Sequence, residues 1–189
     1  MNIHLLVIDP QNDFCVPAEG THRGALVVPG GLDDMTRLAA MVTRLGPKLD
    51  DIHVTLDSHR IVDISHPIWW KDSQGNHPAP SPVISVQDVE SGRWTTTRPG
   101  HYKRSLDYLK ALASSGRYPH AIWPEHCLIG SWGHNVVPGL LAALQSWERL
   151  RYAQVDFVTK GSNPGRNTSA ACRPRCLTRK TRLPRSIRA

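Results

Sequence analysis

Three short apolar runs in this chain each end in a charged residue. Ile3-His4-Leu5-Leu6-Val7-Ile8 runs into Asp9, Ile52-His53-Val54-Thr55-Leu56 into Asp57, and Val155-Asp156-Phe157-Val158-Thr159 into Lys160. Apolar runs of this length, separated by helical stretches, read as buried parallel strands. Asp156 interrupts the third with a charge, so that strand carries the weakest pattern. Between the first two runs, Leu32, Met35, Leu38, Ala39, Val42 and Leu45 share one face at helical spacing. They predict a helix from near Gly31, with Asp33 and Asp34 suiting its amino end and Gly46-Pro47 ending it. Ahead of the third run, Val137, Leu140, Leu141, Leu144 and Trp147 share a face and predict a helix over residues 135–149. Strands alternating with helices give an α/β fold with a parallel sheet flanked by helices.

Residues 61–121 break this rhythm. They hold Pro67, Trp69, Trp70, Pro78, Pro80, Pro82, Trp94 and Pro99, with one short helical pattern at Leu106–Leu112. A stretch this long with so little regular pattern reads as an insertion or lid, most of whose tryptophans pack it onto the body. After Pro164 the pattern stops. The expected organisation is a domain over residues 1–164 and a tail over 165–189.

Charge sharpens that boundary. The net charge of +7 suggests a nucleic-acid partner until it is located. From Gly165 to Ala189 there are seven Arg, one Lys and no acid, whereas the rest of the chain carries 15 basic and 16 acidic residues. The basicity belongs to the tail alone, so nucleic acid is not an expected partner of the body, and the tail itself is expected to be disordered. No apolar stretch approaches the roughly 20 residues of a membrane helix, and the first run reads as a strand rather than a signal peptide. The expected compartment is the cytoplasm. Cys15, Cys127, Cys172 and Cys176 are too few and too scattered for a disulfide framework.

In open α/β sheets, ligands bind outside the carboxyl ends of the strands. That rim is where Asp9, Asp57 and Lys160 are delivered. Asp57-Ser58-His59 places two metal-ligand types one residue apart, His66 follows, and His126 lies in a separate loop. One carboxylate with two or three imidazoles suits Zn²⁺, Fe²⁺ or Mn²⁺ with a position left open, although an Asp-x-His pair also serves as an ordinary turn. Asp9 and Lys160 fit either a proton-accepting carboxylate beside an ammonium or a plain ion pair. Neither a Gly-x-Ser-x-Gly elbow nor a phosphate-binding glycine loop is present, which argues against a serine hydrolase of the α/β-hydrolase type and against a P-loop nucleotide enzyme.

Four segments together resemble the isochorismatase-like cysteine hydrolases, and among them the nicotinamidases. They are Val7-Ile8-Asp9-Pro10-Gln11-Asn12-Asp13-Phe14-Cys15, Thr55-Leu56-Asp57-Ser58-His59, Trp123-Pro124-Glu125-His126-Cys127 and Thr159-Lys160-Gly161. They stand in the family's order. The resemblance implies a Rossmann-like three-layer α/β fold and hydrolysis of a small amide, nicotinamide to nicotinic acid and ammonia. It implies Asp9 as catalytic base with Lys160 beside it. It further implies a divalent metal on Asp57, His59 and His126, with His66 a further ligand. Related isochorismatases generally lack this metal set, so the Asp57-x-His59 pair favours the amidase branch.

The resemblance breaks at the nucleophile. The family carries its nucleophilic cysteine well beyond the lysine, after a further strand, and nothing here matches that segment. None of the four cysteines is assigned the role, so the chain is expected to be impaired as a hydrolase. We read the abrupt change after Pro164 as a shift of reading frame. The family's sheet has about six strands and this chain offers three, so exposed edges and apolar faces are expected, and a homo-oligomer covering them is left open. The alternatives are another amidase of the family, or a non-catalytic remnant that binds through its basic tail.

Overall fold

The computed structural model describes residues 2–17, 22–116 and 119–165. The reading-frame shift, the basic tail beyond Gly165, Cys172 and Cys176 lie outside the described residues.

The first apolar run forms strand β1 (His4–Ile8), and the second forms the central strand β2 (Asp51–Asp57). Between them are one turn of helix, α1 (Asn12–Cys15), and the predicted amphipathic helix α2 (Gly31–Leu45), which Gly46-Pro47 converts into a short 3-10 turn. Residues 61–121 follow. They hold the two-residue strand β3 (Trp70–Lys71), helix α3 (Val86–Glu90), strand β4 (Thr95–Thr96) and helix α4 (Tyr102–Ser115). The chain then enters α5 (Pro138–Arg151), and the last element among the described residues is β5 (Asp156–Lys160).

The main sheet has the order β1-β2-β5, and both pairs are parallel. Register sets Val7 beside Val54 and Asp57 beside Lys160. Because side chains alternate between faces, Leu5, Val7, Ile52, Val54 and Leu56 point to one side. There they meet the stripes of α2 and α5, and Val42, Leu140, Leu144 and Trp147 close the core. Val7, Ile52, Val54, Leu140 and Leu144 are each under 5% exposed, so this burial, about 25 cal/mol per Å² of apolar surface, holds helices to sheet. The other face carries His4, Leu6 and Ile8 on β1, with Leu6 44% and Ile8 65% exposed. An apolar face open to solvent was expected of a short sheet.

Two helices differ in extent from the sequence pattern. The short pattern at Leu106–Leu112 belongs to the longer α4, because Tyr102 starts the buried stripe a turn earlier and Gly116, at φ +62°, ends it with a left-handed residue. The helix expected over 135–149 starts at Pro138, where a missing N–H costs nothing, and runs on to Arg151. The β3–β4 pair is antiparallel. Trp69 and Trp70 are buried with Ile64, Ile84, Val89, Leu109 and Ile122 in a second core of their own. Their indole N–H groups donate to Ser105 Oγ at 3.1 Å and to the Ile64 carbonyl at 2.7 Å.

Candidate functional site

At the carboxyl ends of the three strands the chain turns sharply. Asp9 follows β1 at φ +51°, a left-handed conformation that few side chains adopt. Its N–H donates to the Thr55 carbonyl at 3.1 Å, while the Thr55 hydroxyl donates to Asp9 Oδ1 at 2.7 Å. The second oxygen, Oδ2, lies 2.9 Å from Lys160 Nζ. Both oxygens of Asp9 are therefore held, one by β2 and one by β5.

Lys160 reaches a second carboxylate. Its Nζ is 3.3 Å from Asp57 Oδ1, as the register pairing of these two residues requires. The other Asp57 oxygen, Oδ2, faces His59 Nε2 at 3.1 Å and His126 Nε2 at 3.6 Å. Asp57 thus joins two groups of residues, Asp9–Lys160 on one side and the imidazoles on the other. Exposure falls along this line, from 21% for the Asp9 side chain and 14% for Lys160 to 7% for Asp57 and 1% for His59. The Asp9–Lys160 pair is the more exposed side of the cluster and the imidazoles its buried side.

Each imidazole has one nitrogen committed outward. His59 Nδ1–H donates to Asp63 Oδ2 at 3.2 Å. His126 Nδ1–H donates to the Pro124 carbonyl at 2.7 Å, and His66 Nδ1–H to the carbonyls of Arg60 at 3.0 Å and Ile61 at 3.2 Å. A carbonyl can only accept, which fixes these tautomers and leaves Nε2 as the lone pair on His66 and His126. The three rings lie 4.8–5.5 Å apart, centroid to centroid. Ligand atoms of Asp57, His59 and His126 lie within 4.8 Å of one another and could hold a metal ion. His66 stands beside that group, and its buried Nε2 has no hydrogen-bond partner. An orphaned buried lone pair facing two imidazoles is what a cation site requires, so the donor set fits a borderline divalent ion.

The charges in the cluster reinforce one another. Burial by itself would raise the Asp57 carboxyl, but the adjacent His126 and His59 imidazoles and the charges of His59 and Lys160 hold it well below the usual carboxylate range. Burial would lower His59, yet Asp57 and Asp63 together push it up to about 9. Lys160 is likewise lowered by burial and raised further by Asp57 and Asp9, so it stays an ammonium. His66 moves the other way, because burial favours its neutral form.

All six residues singled out from sequence, Asp9, Asp57, His59, His66, His126 and Lys160, converge here. Sequence reading assigned no role to those that hold them. Gln11 is fully buried; its Nε2 donates to the carbonyls of Asp57 at 2.7 Å and His134 at 2.9 Å, and its Oε1 accepts the Asp57 N–H at 2.7 Å. Asp13 accepts from the backbone of Ala25 at 3.0 Å and Cys127 at 2.6 Å, tying the first loop to the segment that carries His126. Gly133 packs directly on the Asp13 carboxylate, and a Cβ there would overlap it. Gly161, at φ +81°, leaves Asp57 room: a Cβ would fall 2.7 Å from Asp57 Oδ1. Gln11 and Asp13 lie inside the first motif, and Asp63 follows His59 by four residues. Spacing alone does not say what they touch.

The two described cysteines are not poised as nucleophiles. Cys15 is buried and its thiol is pushed up to about 11 by burial and the nearby Asp34 charge. Cys127 is fully buried, and burial and the carboxylates of Asp13, Asp57 and Asp9 also raise its thiol. A cavity of about 450 Å³ between α3 and α4, lined by Ile84, Val86, Leu109, Leu112 and His120, includes none of the cluster residues.

No protein-family model and no curated protein matches the sequence. Solved structures do. The yeast nicotinamidase Pnc1p superposes with a TM-score of 0.53 at 22% identity, over 88% of this chain and 59% of the yeast chain. The same enzyme bound to the inhibitor nicotinaldehyde gives a TM-score of 0.52 with the same identity and coverage. This chain therefore has the fold of a nicotinamidase, a parallel α/β sheet flanked by helices, and spans about three-fifths of the length of the structures it matches. No helix among the described residues is long and apolar enough to cross a membrane.

Proposed function

We propose that this chain carries the metal and substrate site of a nicotinamidase-like amide hydrolase and lacks its nucleophile among the described residues. The observation that carries this reading is the position of Asp57, with one oxygen toward Lys160 at 3.3 Å and the other toward His59 at 3.1 Å. A cation-binding group and an acid–amine pair then share one carboxylate. The fold of the yeast nicotinamidase, whose structure holds nicotinaldehyde, is consistent with a small aromatic amide as guest.

Asp57, His59 and His126 would hold the divalent ion, Zn²⁺, Fe²⁺ or Mn²⁺, and His66 Nε2 stands as a further donor. When bound, the ion supplies an electron-pair acceptor for a ring nitrogen of the amide. To serve as a ligand, His59 would have to give up its Nε2 proton, which Asp57 and Asp63 hold on the ring in the metal-free chain. Asp9 is the proton acceptor. The Thr55 hydroxyl and the Lys160 ammonium fix both of its oxygens, so it is oriented before substrate arrives. Lys160 remains charged and favours an anionic nucleophile beside it. Hydrolysis then needs a nucleophile brought to the Asp9–Lys160 pair, and the buried, un-ionised thiols of Cys15 and Cys127 do not supply one.

The experiment pairs metal analysis with an amidase assay on the full chain. The chain, dialysed against Zn²⁺, is expected to retain an ion that Asp57→Ala loses, and to release ammonia from nicotinamide at or near background. Zinc content that is the same in the chain and in Asp57→Ala would overturn the reading. A second reading, a small-amide binder without turnover, is favoured by the burial of both described cysteines. It predicts nicotinamide binding by calorimetry with no ammonia even at long incubation.

A further inference from the structure

We propose a second divalent-metal site, formed by His4, Asp51 and His53 at the amino-terminal end of the sheet. It stands apart from the cluster described above. His53 and Asp57 are four residues apart on one strand, which at a rise of about 3.3 Å per residue separates the two sites by about 13 Å. Ligand atoms of His4, Asp51 and His53 lie within 4.8 Å of one another.

Strand register builds the group. His4 on β1 is paired with Asp51 on β2, and His53 follows two residues on, so all three side chains leave the same face. His4 Nδ1 lies 3.4 Å from Asp51 Oδ2, and the rings of His4 and His53 stack at 6.0 Å with 3° between their planes. The frame is fixed. Ile3 N–H donates to Asp50 Oδ2 at 2.8 Å, and Asp50 N–H returns a bond to the Ile3 carbonyl at 2.9 Å, so the two strand ends cannot slide.

A fourth residue orients the site without joining it. His53 Nδ1–H donates to Asp156 Oδ2 on β5 at 2.9 Å. This carboxylate–imidazole pairing sets the tautomer and leaves Nε2 with the lone pair, as a ligating histidine requires. Two imidazoles and one carboxylate with solvent at the open side make a three-ligand site for a borderline divalent transition ion such as Zn²⁺. His4 and Asp51 are about half exposed, so the ion enters without any rearrangement of the fold.

The test is equilibrium dialysis of the untagged full chain against Zn²⁺, followed by metal analysis. His4→Gln/His53→Gln is expected to lose one equivalent relative to the parent chain, and Asp57→Ala/His59→Ala a different one, so the four-residue combination loses both. Cysteines in the tail are common to every variant and cancel in the comparison. If the His4/His53 variant proves unstable, Asp51→Asn, an exposed change, serves instead. Its Zn²⁺ affinity at this site should fall about tenfold or more, the scale on which loss of even a supporting partner is felt. Zinc binding unchanged in His4→Gln/His53→Gln, or in Asp51→Asn where that replaces it, overturns the proposal. The inner cluster is judged by its own variant.

Discussion

Gly161 leaves the space that Asp57 occupies: a methyl group on its Cα would sit 2.7 Å from Asp57 Oδ1 and 3.1 Å from His59 Cε1. Its backbone is also left-handed, at φ +81°. Gly161→Ala therefore meets two penalties at once. The conformation alone costs about 1–3 kcal/mol, and the methyl displaces the Asp57 carboxylate. A lowered melting temperature together with weakened Zn²⁺ binding is expected. A variant that melts and binds zinc as the parent does would show that Asp57 is not confined from this side.

Asp63 acts through His59. Its carboxylate accepts the His59 Nδ1 proton at 3.2 Å and is 1% exposed. Asp63→Asn keeps the shape but removes the charge that raises His59 basicity. Zn²⁺ affinity at the inner cluster should fall about 10–100-fold, measured by competition with a chromophoric chelator, while the His4/His53 site keeps its own affinity. Equal loss at both sites would point to general unfolding instead.

Thiol chemistry separates a chain whose described cysteines are inert from one in which a described cysteine attacks the amide. Cys15 and Cys127 are both buried, and both thiols are raised above their ordinary value. Since the thiolate is the reactive form, iodoacetamide at neutral pH should leave both unmodified in the folded chain and alkylate both in denaturant. Peptide mass spectrometry reads the outcome directly. Rapid native alkylation of Cys127 would reopen it as a nucleophile.

His120 makes stability acid-sensitive. It is 4% exposed, donates from Nε2 to the Ile64 carbonyl at 3.0 Å, and burial holds it down to about 4. The unfolded chain takes up the proton near the ordinary histidine value of about 6.5 and the folded chain only near 4. The folded state therefore loses stability as pH falls between those values, by about 3 kcal/mol for a shift of this size, and the loss levels off below about 4. His120→Asn should flatten that part of the stability–pH curve. The difference between parent and variant, from urea titrations at several pH values, isolates this residue from the other histidines.

Much of the site is legible in the sequence. Apolar runs of strand length ending in Asp9, Asp57 and Lys160 placed three charged groups at strand ends, and a parallel sheet gathers strand ends on one rim. The stripes of α2 and α5 were equally plain, because a helix buried on one face repeats its apolar residues at a fixed spacing. Residues 61–121 were harder to read. Their second core is assembled from Ile64, Trp70, Leu109 and Ile122, residues too far apart in sequence to form a periodic pattern.

Sequence by itself settled which residue types reach the rim and which faces of the helices are apolar, since both follow from local periodicity. Tertiary structure alone decided that Asp57 divides its two oxygens between Lys160 and His59, that Gln11 clamps the Asp57 backbone, and that His4 meets His53 on the open face. These depend on strand register and on the paths of separate loops. Such relations join residues up to 123 positions apart, as between Gln11 and His134, and no local pattern in the chain records them.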